Sequence, residues 1–196
     1  DRRFFSYFHP ALEDEPIIFV QVALTNGLGK SIQEIMKPRT EGEKKYDTAT
    51  FYSISNCQQG LERVTLGNFL IKRVVFEIQE ELPNIKNFGT LSPIIGFRNW
   101  FSYLEDNKIK NIVGEKFFEK LAFLRSSDLR IGDKRILDNK DAIIKLVAHY
   151  LMNEKNKKNL PINDVCRFHL GNGAIIDDNV INANVAFIKD SFIQYN

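Results

Sequence analysis

"TATFYSISNCQQGLERVTLGNFLIKRVV", Thr48–Val75, reads as a strand, a glycine-bearing loop and a long helix. Its first eight residues mix threonine, aromatic and β-branched side chains, the composition of a strand. Further on, Val64, Leu66, Phe69, Leu70, Val74, Ile78 and Leu82 recur every three or four positions, a helical period that Pro83 ends. The first backbone N–H groups of a helix have no intrahelical partner, and the helix dipole favours negative charge there. The loop from Gln58 to Gly67 therefore has the setting of an anion site. Gly60 permits a left-handed turn, and Gly67 permits close approach of backbone or ligand. Lys72 and Arg73 lie a turn or more into the helix. Neither GK[ST] nor GxGxxG is present. On local grounds an ordinary strand-to-helix turn is the commoner meaning of such a segment.

Upstream, "RFFSYFHP" and "PIIFVQVAL" are β-rich runs separated by "ALEDE", which predicts an antiparallel pair. "SIQEIM" predicts a short helix opened by Ser31, and "PRTEGEKKYD" a polar loop. Downstream, "NFGTLSPI" is a short strand or loop ending at Pro93. "GFRNWFSYLED", "EKFFEKLAFLRSS" and "DNKDAIIKLVAHYLMNEK" predict amphipathic helices. "DVCRFHL" reads as a strand that meets a Gly-Asn-Gly turn, and the stretch after Ala174 is ambiguous. Strands come early and helices later, so the expected class is α+β.

The bulk numbers set bounds. A chain of 196 residues suits one domain, and 43% apolar with 27% charged residues is an ordinary globular composition. A net charge of +2 gives no global case for nucleic acid or a membrane surface. The lysine-rich "NEKNKKN" reads as a solvated helix end rather than a polyanion site. Two distant cysteines without CxxC argue against a disulfide scaffold and a zinc site, and suit a reducing compartment: the cytoplasm, or an organelle matrix. No apolar run approaches the ~20 residues of a membrane span. Both ends stop without terminal signals, so the expectation is one part of a longer protein.

The strings "FYSIS", "QQGL", "LGNFLIKRVV", "TLSPI-GF" and "FHL-NGA" occur in the order and approximate spacing of malonyl-CoA decarboxylases. The chain resembles that family up to Ala174, with "HPALEDEPIIF" and "VAL" fitting its upstream strands. The resemblance implies a GNAT-like acyl-CoA fold: a central mixed, mostly antiparallel sheet flanked by helices. It implies that residues 1–196 are a single catalytic domain, and that the family's preceding helical domain is not among them. The implied activity is conversion of malonyl-CoA to acetyl-CoA and CO2, in fatty acid metabolism. CoA enters as part of the substrate, with no other cofactor and no metal. Gln58, Gln59, Gly60, Leu61, Arg63, Leu66 and Gly67 would cradle the CoA pyrophosphate. The chain departs from the family pattern at four positions. Arg63 stands where a glycine is expected, Thr65 where some relatives carry an acid, Ile95 where "SPIPGF" has proline, and Asp178 where an arginine is expected. An acyltransferase on the same fold and a diverged, non-catalytic CoA-binding protein are the rival readings. A homo-oligomer stays open.

Ser92 precedes Pro93, which favours an extended backbone, and a turn-forming Ser-Pro is the commoner meaning of that dipeptide. The resemblance places Ser92 on the family's active-site serine, which orients the malonyl carboxylate or thioester. His169 stands between Phe168 and Leu170, and on a strand its ring would face away from both. By residue type alone a histidine bonded to a backbone carbonyl is the commoner case. The resemblance makes His169 the family's proton donor. His9 and His149 are read as structural, and Cys166 as a small buried hydrophobe. Tyr195 aligns too poorly to be assigned.

Overall fold

The computed structural model describes residues 1–12, 14–29, 31–37, 46–61, 66–126 and 133–176. The chain divides into two compact units, Asp1–Ser92 and Pro93–Asn196.

The first unit is built on a four-stranded sheet in the order β1-β2-β3-β4. β1 (Arg2–Phe8) pairs antiparallel with β2 (Pro16–Thr25), Phe5 opposite Val20. The expected "ALEDE"-linked pair is thus present. A short helix, α1 (Ile32–Met36), comes next, and the Ser31 hydroxyl caps it by accepting the Glu34 amide at 3.1 Å. β3 (Thr48–Asn56) pairs antiparallel with β2, Val20 opposite Ile54. α2 (Leu66–Glu81) then crosses over to β4 (Asn87–Thr90), which runs parallel to β3. The sheet is therefore mixed and mostly antiparallel, as expected.

Sequence period explains the packing. Ile18, Val20, Val22 and Leu24 alternate along β2 and project to one face; Leu70, Val74 and Ile78 form one stripe along α2. The two sets bury each other, together with Ala49, Phe51 and Ile85. Phe69 lies off the stripe and is exposed. Leu82 and Pro83 come directly after the last helical residue, so the proline stop falls where the sequence places it.

The second unit is helical among its described residues: α3 (Phe97–Tyr103), α4 (Asp106–Val113), α5 (Glu115–Phe118), α6 (Lys134–Asp138), α7 (Lys140–Met152) and α8 (Asp164–Gly171). Its core gathers Phe97, Phe101, Ile109, Leu121, Ile143 and Leu146. The stretch "EKFFEKLAFLRSS" is not one α-helix. After the single turn of α5 it continues as a 3-10 helix over Glu119–Arg125. Phe118, Leu121 and Leu124 recur every third residue, and three residues per turn is the period that stacks them on one side; Leu121 and Leu124 are fully buried.

One element reverses its expected type. "DVCRFHL" is not a strand; it lies in α8. Asn163 caps the start, its Oδ1 accepting the Cys166 amide at 2.7 Å, and Asp164 stands in the first turn. The Gly-Asn-Gly signal is the end of this helix. Gly173 takes φ 86°, its N–H donates to the Leu170 carbonyl at 3.1 Å, and the Ala174 N–H donates to the His169 carbonyl at 3.0 Å. That bond pair is a Schellman cap.

Candidate active site

β3 and β4 run parallel only from Thr48 opposite Asn87 to Phe51 opposite Thr90. The Leu91 N–H still donates to the Phe51 carbonyl at 2.8 Å, and there the pairing ends. β3 continues to Asn56 as the partner of β2 alone among the described residues. The end of the β3–β4 pairing coincides with a bulge: Gln21 faces Ser53 and Val22 faces Phe51, so Tyr52 is the extra residue. Burial changes at the same place. Thr48–Phe51 are buried and Tyr52–Ser55 only half-buried, and partial burial still pushes the Tyr52 phenol above its ordinary pKa. Parallel strands present their carboxyl ends together, so the chain segments that leave β3 and β4 leave from the same end of the pair.

The predicted anion loop leaves the end of β3, and Ser92 lies just past the end of β4. The first unit alone thus brings both to one end of its parallel pair. Ser92 is half-buried, and its Oγ donates to Thr90 Oγ1 at 3.4 Å. Within the loop, Cys57 N–H donates to the Ile17 carbonyl at 2.8 Å. Gln58 Nε2 donates to Glu15 Oε2 at 3.2 Å and to the Pro16 carbonyl at 3.4 Å. Gln58 therefore pins the loop to the start of β2. Gln59, Gly60 and Leu61 form a 3-10 turn. Gly60 has no left-handed φ, contrary to the sequence reading; an added Cβ would meet nothing within 4 Å. Leu66 and Gly67 open α2, with Gly67 buried and no acid in the first turn of the helix. Arg63 and Thr65 lie outside the described residues, as do Asp178 and Tyr195. Lys72 is exposed, and Arg73 pairs along the helix with Glu77 at 2.6 Å.

His169 occupies the last turn of α8, so the strand-alternation argument for its direction does not apply. Its ring meets Phe168 edge-on, centroids 5.1 Å apart. Burial holds the imidazole below its ordinary pKa, because desolvation disfavours the cation. Cys166 is one turn back on the same helical face, but it is buried, its Sγ points to the Leu151 carbonyl at 3.7 Å, and burial raises its thiol pKa. It packs as a small hydrophobe, as expected. His149 and His9 are likewise structural: His149 stacks on Trp100 and lies 3.3 Å from Glu154, and His9 Nδ1 accepts the Ala11 amide at 3.1 Å.

Sequence reasoning missed Tyr150 and Asn163. Both donate to the Ile95 carbonyl, at 2.8 and 2.7 Å, and so fix the turn that the chain makes just after Ser92. The only available signal for Asn163 was its place three residues before an N–H that needs a cap.

The sequence model of the malonyl-CoA decarboxylase C-terminal domain matches residues 1–187. The mitochondrial malonyl-CoA decarboxylase of Anser anser anser is 39% identical over 195 residues, 88% of this chain and 38% of the relative. That of Rattus norvegicus is 35% identical over 197 residues, 89% of this chain and 40% of the relative. The chain spans about two fifths of the length of these relatives. Among solved structures, malonyl-CoA decarboxylase from Rhodopseudomonas palustris superposes with a TM-score of 0.74 at 40% identity, covering 88% of this chain and 40% of that one. The Agrobacterium vitis enzyme gives 0.74 at 38% identity, covering 88% and 43%. The α+β fold of this chain is the GNAT-like fold of those decarboxylases.

Proposed function

The chain belongs to the malonyl-CoA decarboxylase family, and from that premise we propose that it removes CO2 from malonyl-CoA to give acetyl-CoA. The observation that supports the reading is the parallel β3–β4 pair, from whose carboxyl end both the segment leading to Gln58 and the segment leading to Ser92 depart. Gln58, Gln59, Gly60, Leu61, Arg63, Leu66 and Gly67 hold the CoA pyrophosphate, using backbone amides at the start of α2. Ser92 hydrogen-bonds the malonyl group. It turns the breaking C–C bond perpendicular to the thioester plane and donates to the developing oxyanion. The electron pair of that bond flows into the thioester carbonyl, CO2 leaves, and an enolate remains. His169 gives its proton to the α-carbon, which yields the acetyl group, and recovers a proton from solvent.

The thioester carbonyl is the electron sink, so the chemistry asks for no metal and no further cofactor. The molecule acts as a single catalytic domain in the cytoplasm or an organelle matrix. No described helix is long and apolar enough to cross a membrane, and the goose and rat relatives are mitochondrial.

The test is direct. Mixed with malonyl-CoA, the protein is expected to produce acetyl-CoA, detected by mass. Binding of malonyl-CoA without turnover would replace this reading with that of a diverged CoA-binding protein.

A further inference from the structure

Asn163 is 3% exposed, and each end of its carboxamide does separate work. Nδ2 donates to the Ile95 carbonyl at 2.7 Å; Oδ1 accepts the Cys166 amide at 2.7 Å. The first bond holds the turn three residues beyond Ser92. The second caps α8, the helix that carries His169. Capping alone is served as well by serine or aspartate. A side chain that must cap and also donate at its other end calls for a carboxamide.

The Ile95 carbonyl takes a second donor, the Tyr150 hydroxyl at 2.8 Å. Residue 96 has to be glycine for this arrangement. Its φ is 79°, and an added Cβ would lie 2.8 Å from the Tyr150 oxygen. The Ile95 side chain is exposed, so the turn is placed by these two bonds together with the burial of Ile94.

We propose that Asn163, together with Tyr150, is a positioning residue for decarboxylation. Asn163 sets the turn after Ser92 and, through its cap, the helix that presents His169. Tyr150 shares the first task. The proposal rests on Ser92 orienting the substrate and His169 donating the proton.

The experiment begins with the parent protein and His169→Asn, assayed with malonyl-CoA. A parent without turnover, or a His169→Asn variant at the parent rate, sinks the functional reading and this assignment with it. Given an active parent and an impaired His169→Asn, Asn163→Ser and Tyr150→Phe come next. Serine keeps a capping oxygen and loses the donor to Ile95; phenylalanine keeps the ring and loses the hydroxyl. Each is expected to lower kcat about 10- to 100-fold, the scale of misplacing reacting groups by an ångström, with KM little changed. Ile109→Val, a core truncation in α4, is the control: it lowers stability and keeps the parent kcat. In a Ser92→Ala background, Asn163→Ser is expected to cost far less than in the parent, because the group it positions is already gone. Parent kcat in both Asn163→Ser and Tyr150→Phe, or full additivity with Ser92→Ala, overturns the positioning role and leaves the function standing. If Asn163→Ser fails to fold, Tyr150→Phe decides by the same criteria.

Discussion

A general acid has to hold its proton at the working pH, and burial works against that in His169, whose imidazole is held below its ordinary value near 6.5. The bound substrate brings a carboxylate, and a nearby negative charge favours the imidazolium. Hence the alkaline limb of kcat, which reports the complex, is expected at higher pH than the alkaline limb of kcat/KM, which reports the free protein. Coincident limbs would mean that substrate does not charge His169. His169→Asn is expected to lower kcat by about 10²–10⁴-fold with little change in KM, the range for losing a general acid. Ser92→Ala is expected to lower kcat and raise KM, since its bond is already made to bound substrate. The same depressed pKa has a stability consequence. A histidine that binds its proton more weakly when folded leaves the unfolded chain with more protons between the two pKa values. Stability is therefore expected to fall as pH drops from about 6.5 through the lower folded value, and His169→Asn should flatten that part of a melting-temperature profile.

Among the elements, α8 is capped at both ends. In α8 the Schellman cap requires φ 86° at Gly173, and nothing lies within 4 Å of an added Cβ there. Gly173→Ala thus tests conformation alone and is expected to cost about 1–2 kcal/mol by chemical denaturation, with Gly173→Asn milder because asparagine tolerates that conformation. Gly96→Ala adds a clash with the Tyr150 hydroxyl to the same strain, so it is expected to cost more and to lower turnover as well. At α2 the expected signature is anion binding. CoA at ~100 times its dissociation constant should stabilise the protein by about 2.7 kcal/mol, read as a rise in melting temperature. No shift at millimolar CoA would remove the case for the loop. Arg63→Gly separates two roles: tighter binding if the side chain crowds the pyrophosphate, weaker if it holds a phosphate.

At the scale of the whole molecule, each unit has its own apolar cluster, one between sheet and α2 and one among helices. Leu146→Ala, at the fully buried centre of the second, is expected to cost about 2–5 kcal/mol in denaturant. The proposed reaction makes a demand on the intact protein as well. Turnover of malonyl-CoA is expected to survive both EDTA and avidin, because the thioester supplies the electron sink. A strict requirement for a divalent ion would defeat that mechanism.

The sequence by itself determined what local chemistry and period can specify. The antiparallel pair on either side of "ALEDE", the helical stripe Leu70–Val74–Ile78, the Ser31 cap and the Pro83 stop all fall where the pattern predicts them. Ser92 was singled out by the family resemblance and not by its local pattern, while the loop at Gln58–Gly67 was legible as the approach to a helix. Tertiary structure decided the rest. Phe-His-Leu alternates over too few residues to separate strand from helix; the Asn163 cap and the Gly173 turn settle α8. The end of the β3–β4 pairing beside the Tyr52 bulge depends on a partner strand separated from β3 by the whole of α2. Asn163 and Tyr150 meet the Ile95 carbonyl across 68 and 55 residues. No sequence pattern encodes such bonds, because which buried donor meets which carbonyl is set by how the helices pack and not by spacing along the chain.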